Sequence, residues 1–423
     1  MNSEGSKLLR TVGLLAVGVL AIFLVWQLRD PTPWLMVRER FEPLPVAPSG
    51  NTELRAGAAE TKKALERGAA FLLSQQVEGR WREHPGITAL CLRALLAAPL
   101  GFSLESQPAL KQAADWLLSL QGADGSFAIA FSAGSSMRNY TTALSVLALD
   151  LIPASPYREA VAKAQQYLIK AQLDEGEGYQ SAESNFGGLG YGSGGGADLS
   201  NLQLALEALR ESGLDPKHEF FKKAQVFVER AQDGESNTAS WAHGSGGFVY
   251  SPEKAQQSGN AEPYGAMTFA GLKSLIFTGA APDDARVREA LKWVERHYAV
   301  DQHPGRGEES LYFYYATMAK ALSAAGVEEL PAGTGTRSWA GDLARALIAR
   351  QQPDGGWRNR EQKYMEGLPE LASAYAMMAL SLAYHHLPAA EAPDARAPAA
   401  DAPATGAAPA PLLSGNSVRP ESP

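Results

Sequence analysis

Between about Ala58 and Leu387 the apolar residues recur three and four positions apart, with Gly, Pro and Asp marking the breaks, which is the pattern of amphipathic helices. The segments form two alternating series. One keeps a charged face, with Lys62, Glu66 and Arg67 in its first member, and ends in Gln or a substitute before a turn: Ala64 to Gln76, Ala113 to Gln121, Ala164 to Gln172, Ala224 to Gln232, Ala290 to about His297, and Ala344 to Gln352. The other is apolar nearly all round: Ile87 to Ala97, Tyr140 to Ile152, Leu199 to Arg210, Tyr264 to Phe277, Ser310 to Ala325, and Leu371 to His385. A helix apolar on every side is buried on every side, so the pattern predicts six hairpins with the second series inside. Neither terminal pair offers the polar capping helix that an open solenoid needs, so a closed ring is expected.

A short phrase punctuates the outer series. Leu117-Leu118-Ser119-Leu120-Gln121 runs into Asp124-Gly125-Ser126-Phe127, and the phrase returns around Gln351-Gln352 with Asp354-Gly355-Gly356-Trp357 and, earlier, around Gln75-Gln76 with Gly79-Arg80-Trp81. Its Gln and aromatic residue lie where an outer helix ends, so they are expected to clasp the next hairpin by satisfying groups at a neighbouring helix terminus.

Outside the repeats the pattern changes. Thr11 to Leu28 carries no charge and is just long enough for a helix across a bilayer core, which takes roughly 17 to 25 residues. It ends in Val25-Trp26-Gln27-Leu28 rather than small residues, which favours an uncleaved anchor over a signal peptide. The expected organisation is an anchor over 1–29, a Pro-containing linker over 30–57, the ring over 58–387, and a disordered Ala/Pro-rich tail over 388–423, too poor in large apolar residues to offset the entropy of ordering. The short N-terminus is expected on the cytoplasmic side and the ring on the other.

Composition narrows the function. The 423 residues carry a formal charge of -8 and no cluster of Lys and Arg, which excludes nucleic acid as a partner. The single cysteine, Cys91, lies in an apolar run and excludes an intrachain disulfide or a multi-cysteine zinc site. No cofactor and no metal is expected.

The phrase of Trp116, Gln121, Asp124-Gly125 and Phe127, with Tyr264-Gly265-Ala266-Met267-Thr268-Phe269, Asp301-Gln302-His303-Pro304-Gly305-Arg306-Gly307 and Leu311-Tyr312-Phe313-Tyr314-Tyr315, resembles the prenyltransferase/squalene cyclase (squalene oxidase) repeat proteins. The resemblance implies an all-α fold, an α/α toroid, whose cavity binds a hydrophobic, isoprenoid-like molecule. Squalene-type cyclases hold a neutral carboxylic acid in an apolar cavity, where desolvation raises its pKa until it protonates an alkene, and aromatic faces stabilise the cation. The family's Asp-x-Asp-Asp motif is missing here, since Asp283-Asp284 reads as a helix cap, and Cys91 lacks the Asp and His partners of the prenyltransferase zinc set.

In a ring of hairpins the inner helices all start at one end, so their first turns converge on one mouth. Candidate acids there are Glu309, Glu370 and Asp198, and candidate ligand-binding residues are His84, Tyr140, Tyr264, His303, Tyr312 and Tyr315, with Phe313, Tyr314 and Tyr375 extending an aromatic wall. Each acid taken singly also suits a helix N-cap. The excess of acids over bases at the mouth disfavours a diphosphate. Two other readings stay open: a non-catalytic cell-envelope protein binding another envelope component, and a glycan-active toroid, which needs two carboxylates about 5 to 9.5 Å apart.

Overall fold

The computed structural model describes residues 57–128, 137–192, 195–259 and 261–387. The expected anchor, linker and tail lie outside these residues. Among the described residues no helix is long and apolar enough to cross a membrane.

Thirteen α-helices form the described chain. Six are inner helices: α2 (Pro85–Ala97), α4 (Arg138–Leu149), α6 (Leu199–Glu211), α9 (Gly265–Phe277), α11 (Leu311–Ala324) and α13 (Pro369–His386). Each packs on the next, and α13 packs back on α2, which closes the ring. The outer layer is α1 (Ala58–Ser74), α3 (Pro108–Ser119), α5 (Ser155–Lys170), α7 (Glu219–Ala231), α10 (Ala285–His297) and α12 (Trp339–Arg350). A short α8 (Pro252–Ser258) and a two-stranded hairpin, β1 (Glu329–Ala332) with β2 (Gly335–Ser338), fill connecting loops; neither is visible in the apolar periodicity.

Burial follows the two patterns. In α10 only Val287, Ala290, Trp293 and Val294 are buried, one stripe at helical spacing. In α2 every residue from Pro85 to Leu95 is buried.

The repeated phrase is the clasp. Gln121 Nε2 donates to Ala160 O at 2.7 Å, Gln172 Nε2 to Phe220 O at 3.0 Å, Gln232 Nε2 to Arg286 O at 2.9 Å, and Gln76 Nε2 to Ala109 O at 2.8 Å, each a carbonyl of the following outer helix. Gln351, one residue earlier than the expected Gln352, donates to Ala64 O at 2.9 Å and joins the last outer helix to the first. A glycine at positive φ follows each Gln and seats against the same helix one turn further on: Gly125 on Lys163 O, Gly187 on Lys223 O, Gly246 on Glu289 O, Gly355 on Arg67 O and Gly79 on Gln112 O. A Cβ at Gly187 would lie 1.9 Å from that carbonyl, so only glycine fits. The aromatic residue then anchors inward, with its backbone N–H on a hydroxyl of the inner helix: Trp81 on Thr88, Phe127 on Thr142, Phe248 on Thr268, Trp357 on Ser373.

Candidate functional site

The long connections run from the outer to the inner helices, so the starts of the inner helices gather under them at one mouth. Six helix N-termini converge there, each with a partial positive charge and free N–H groups, and acids collect around them for that reason. Asp198 caps α6: its carboxylate accepts from Asn201 N and Asn201 Nδ2, both at 2.8 Å. Glu366, which sequence reasoning missed, caps α11 from a loop, accepting from Phe313 N at 2.8 Å, Tyr312 N at 3.1 Å and Asn359 Nδ2 at 2.7 Å. No apolar periodicity surrounds Glu366 to mark it.

Burial without an ion pair separates Asp198 from the other candidate acids. Desolvation pushes its pKa up to about 6 against the opposing hydrogen bonds from Asn201 and Tyr250. Glu370 is also buried but lies against Arg82 Nε at 2.8 Å, with its second oxygen unpartnered. Glu309 sits at the surface, paired with Lys363 Nζ at 3.0 Å.

The aromatic residues at the mouth form a connected group. The Tyr140 hydroxyl lies 3.1 Å from that of Tyr375, spanning the front of α2 between them. Tyr140 stacks on Tyr191 at 5.9 Å, and Phe313 meets Tyr375 edge-on at 5.7 Å. Tyr191 and Tyr250 lie within electrostatic reach of one another and of Asp198. Both come from the connecting loops, where no pattern distinguished them. Tyr264 lies under the Arg306 guanidinium, 4.1 Å from its ring centre.

The expected wall from Tyr312 to Tyr315 does not form one surface. Consecutive residues on a helix point about 100° apart, and only Phe313 meets Tyr375. Tyr315 and Tyr314 turn outward and donate their hydroxyls to Val300 O at 2.6 Å and Ala299 O at 2.7 Å, while Tyr312 is buried edge-on against Tyr315. The two histidines are caps. His84 Nδ1 accepts from Ile87 N at 3.4 Å. His303 Nε2 accepts from Ala266 N at 2.8 Å while its Nδ1–H donates to Glu309 O at 2.6 Å, and burial lowers its pKa to about 4, which holds it neutral. Among the described residues no group of three or more His, Cys, Asp or Glu side chains is placed to hold a metal.

The opposite half of the ring interior is ionic, which the sequence did not announce. Arg93 is the ninth residue of α2, Glu207 the ninth of α6, Lys273 the ninth of α9 and Lys320 the tenth of α11, so four charges meet at one depth. Arg93 bonds Glu207 at 2.8 Å and Glu211 at 2.9 Å, and donates to Leu147 O at 3.2 Å. Lys273 pairs with Glu207 and Lys320 with Glu211. Burial acts to raise the Glu207 pKa, but Lys273, Lys320 and Arg93 together hold it well below the usual carboxylate range. Three cations suit this end, where the helix C-termini converge.

No family model and no curated protein matches the sequence. Solved structures do. The type II terpene cyclase MstE from Scytonema, without ligand, aligns with a TM-score of 0.50 at 15% identity, over 78% of this chain and 100% of that one. A variant of that enzyme in complex with its substrate, geranylgeranyl dihydroxybenzoate, aligns with a TM-score of 0.48 at 15% identity over 78% and 99%. A glycosidase aligns with a TM-score of 0.46 at 12% identity, over 78% and 98%. At this identity the likeness to the cyclase shows a common fold.

Proposed function

We propose that the chain is a membrane-anchored toroid of the prenyltransferase/squalene cyclase type that binds a hydrophobic, isoprenoid-like molecule at the mouth of its ring and starts a cyclisation by protonating an alkene. The segment from Thr11 to Leu28 is the anchor, and the ring lies on the non-cytoplasmic side. Asp198 is the proton donor. The observation that carries this reading is a buried carboxyl with its pKa pushed up to about 6, set among Tyr140, Tyr191 and Tyr250. A carboxyl that still carries its proton in mildly acid solution is the reagent an alkene needs, and aromatic faces stabilise the cation that results. Glu309 and Glu370, each facing a basic side chain, supply negative charge near the mouth rather than the proton. The toroid fold shared with a type II terpene cyclase agrees with this choice.

The test is incubation of the purified full chain with squalene and geranylgeraniol, with mass spectrometry of the extracted lipids. Cyclised isomers of unchanged mass are expected. They should vanish in Asp198→Asn, and their rate of formation should fall as the pH rises through about 6, because the acid is then ionised. Equal turnover in Asp198→Asn removes the assignment, and no cyclised product from either polyprene removes the reaction.

A further inference from the structure

Several hydroxyls on the inner helices turn back on their own backbone. Ser274 donates to Ala270 O and Ser381 to Met377 O, both at 2.7 Å, and Thr317 donates to Phe313 O at 2.8 Å. Ser323, in the last turn of α11, meets a different group: its Oγ lies 3.0 Å from Nε2 of His386, the last residue of the neighbouring α13. The other ring nitrogen, His386 Nδ1, lies 3.0 Å from Glu328 Oε2 in the loop before β1. A carboxylate only accepts, so Nδ1 carries a proton and Nε2 presents its lone pair to the Ser323 hydroxyl. Nucleophile, base and orienting acid therefore stand in the order that activates a serine.

Trp339, the first residue of α12, supports the arrangement from behind. Its buried ring lies 5.0 Å from the His386 ring, and its Nε1 donates to Val327 O at 2.6 Å, one residue before Glu328. Both inner helices end at this face, and their C-termini stabilise the imidazolium that forms when His386 takes a proton. The three groups are not sealed off: Ser323 and His386 are half-buried and Glu328 is exposed. Ala324, the residue after the serine, lines a surface hollow of about 470 Å³ together with Leu214, Ile276 and Phe277.

We propose that Ser323, His386 and Glu328 form a serine-hydrolase site on the face of the ring opposite the mouth, acting on esters of apolar acyl groups. It stands apart from the cyclisation proposed at the mouth. The Ser323 oxygen bonds to the acyl carbon while His386 takes its proton. The bond from that carbon to the alcohol oxygen then breaks, and His386 returns the proton to the leaving alcohol. Water, deprotonated by His386 in its turn, releases the acid and restores the serine. The acyl group lies in the hollow beside Ala324. Helix C-termini offer the tetrahedral oxyanion no row of N–H groups, and one such donor is worth about 10²–10³ in rate, so the substrates are esters with good leaving groups.

The experiment assays the full chain in nanodiscs with 4-nitrophenyl acetate and butyrate, and labels it with a fluorophosphonate, whose fluoride is displaced by an activated serine oxygen. Hydrolysis that favours the butyrate is expected, with a label mapped to Ser323 by peptide mass spectrometry. Ser323→Ala should abolish both, and His386→Gln should slow both by about 10²-fold. Glu328 is a positioning residue, so Glu328→Gln should lower kcat about tenfold with KM unchanged. Each variant is checked for an unchanged circular dichroism spectrum. Absence of label on Ser323 in the unaltered chain, or hydrolysis undiminished in Ser323→Ala, overturns the site. Labelling of Ser323 at an equal rate in His386→Gln shows that the imidazole is not its base and overturns the triad. A preference for the acetate overturns the hollow as the acyl pocket.

Discussion

Glu207 is the anion that three inner helices share, and removing it tests whether the ionic layer holds the ring together. In Glu207→Met, Lys273 is left 2% exposed with no carboxylate in contact, and Arg93 and Lys320 keep Glu211 alone. Breaking a buried pair by deleting one partner costs about 3–5 kcal/mol, because the surviving charge stays desolvated. Lys273→Met should cost less, since Glu207 retains Arg93 at 2.8 Å and Lys320 at 3.9 Å. In the double variant both desolvated charges are gone while the Arg93–Glu211 and Lys320–Glu211 pairs remain. Its cost should therefore fall short of the sum of the singles by about 2–3 kcal/mol. Urea unfolding followed by circular dichroism at neutral pH measures all three. The acid limb gives a second reading with a defined sign. A carboxylate whose pKa is depressed in the folded protein contributes stability above its ordinary value of 4.5, and that contribution disappears as the pH falls through the folded value. Glu207→Met should flatten the loss of stability at acid pH. A single-variant cost below about 1 kcal/mol, or strictly additive singles, would refute the view that the layer is a coupled network.

Two further outcomes concern the clasps. Gly187→Ala should destabilise the protein by about 3 kcal/mol or more, while Gly178→Ala, also at positive φ but with open space around it, should cost about 1–2 kcal/mol; similar losses for the two would mean that the close approach to Lys223 O is relieved at little cost. Gln351→Leu should cost about 2 kcal/mol for its bonds to Ala64 O and Gly355 O, and Gln121→Leu the same for its pair, as seen by thermal unfolding. A much smaller loss at Gln351 would show that the ring tolerates opening at that junction.

What could be read in advance depended on distance along the chain. The clasp is local: Gln, turn glycine and aromatic residue fall within a few positions, and the hairpin alternation is carried by each helix's own apolar stripe. The ionic layer was not legible, because Arg93, Glu207, Lys273 and Lys320 each stand singly in their segments and look like surface charges until the helix starts are aligned. Glu366, Tyr191 and Tyr250 act across loops whose folding no periodicity describes. The Tyr312–Tyr315 run misled for a geometric reason, since four successive residues sweep most of a helix's circumference and only one of them belongs to any given face.

The clasp from Gln351 to Ala64 is made of the same parts as the internal ones, and Gly355 seats on Arg67 as Gly187 does on Lys223. A linear array of helical repeats frays from its ends, where each terminal unit has one neighbour and comes away at the expense of a single interface. Here every hairpin has two neighbours, and releasing any one of them breaks two interfaces at once. The closed circuit therefore has no free end, although among the described residues its junctions are not identical: five carry a Gln clasp, and at the sixth, from α10 to α12, His297 turns back on Trp293 O of its own helix.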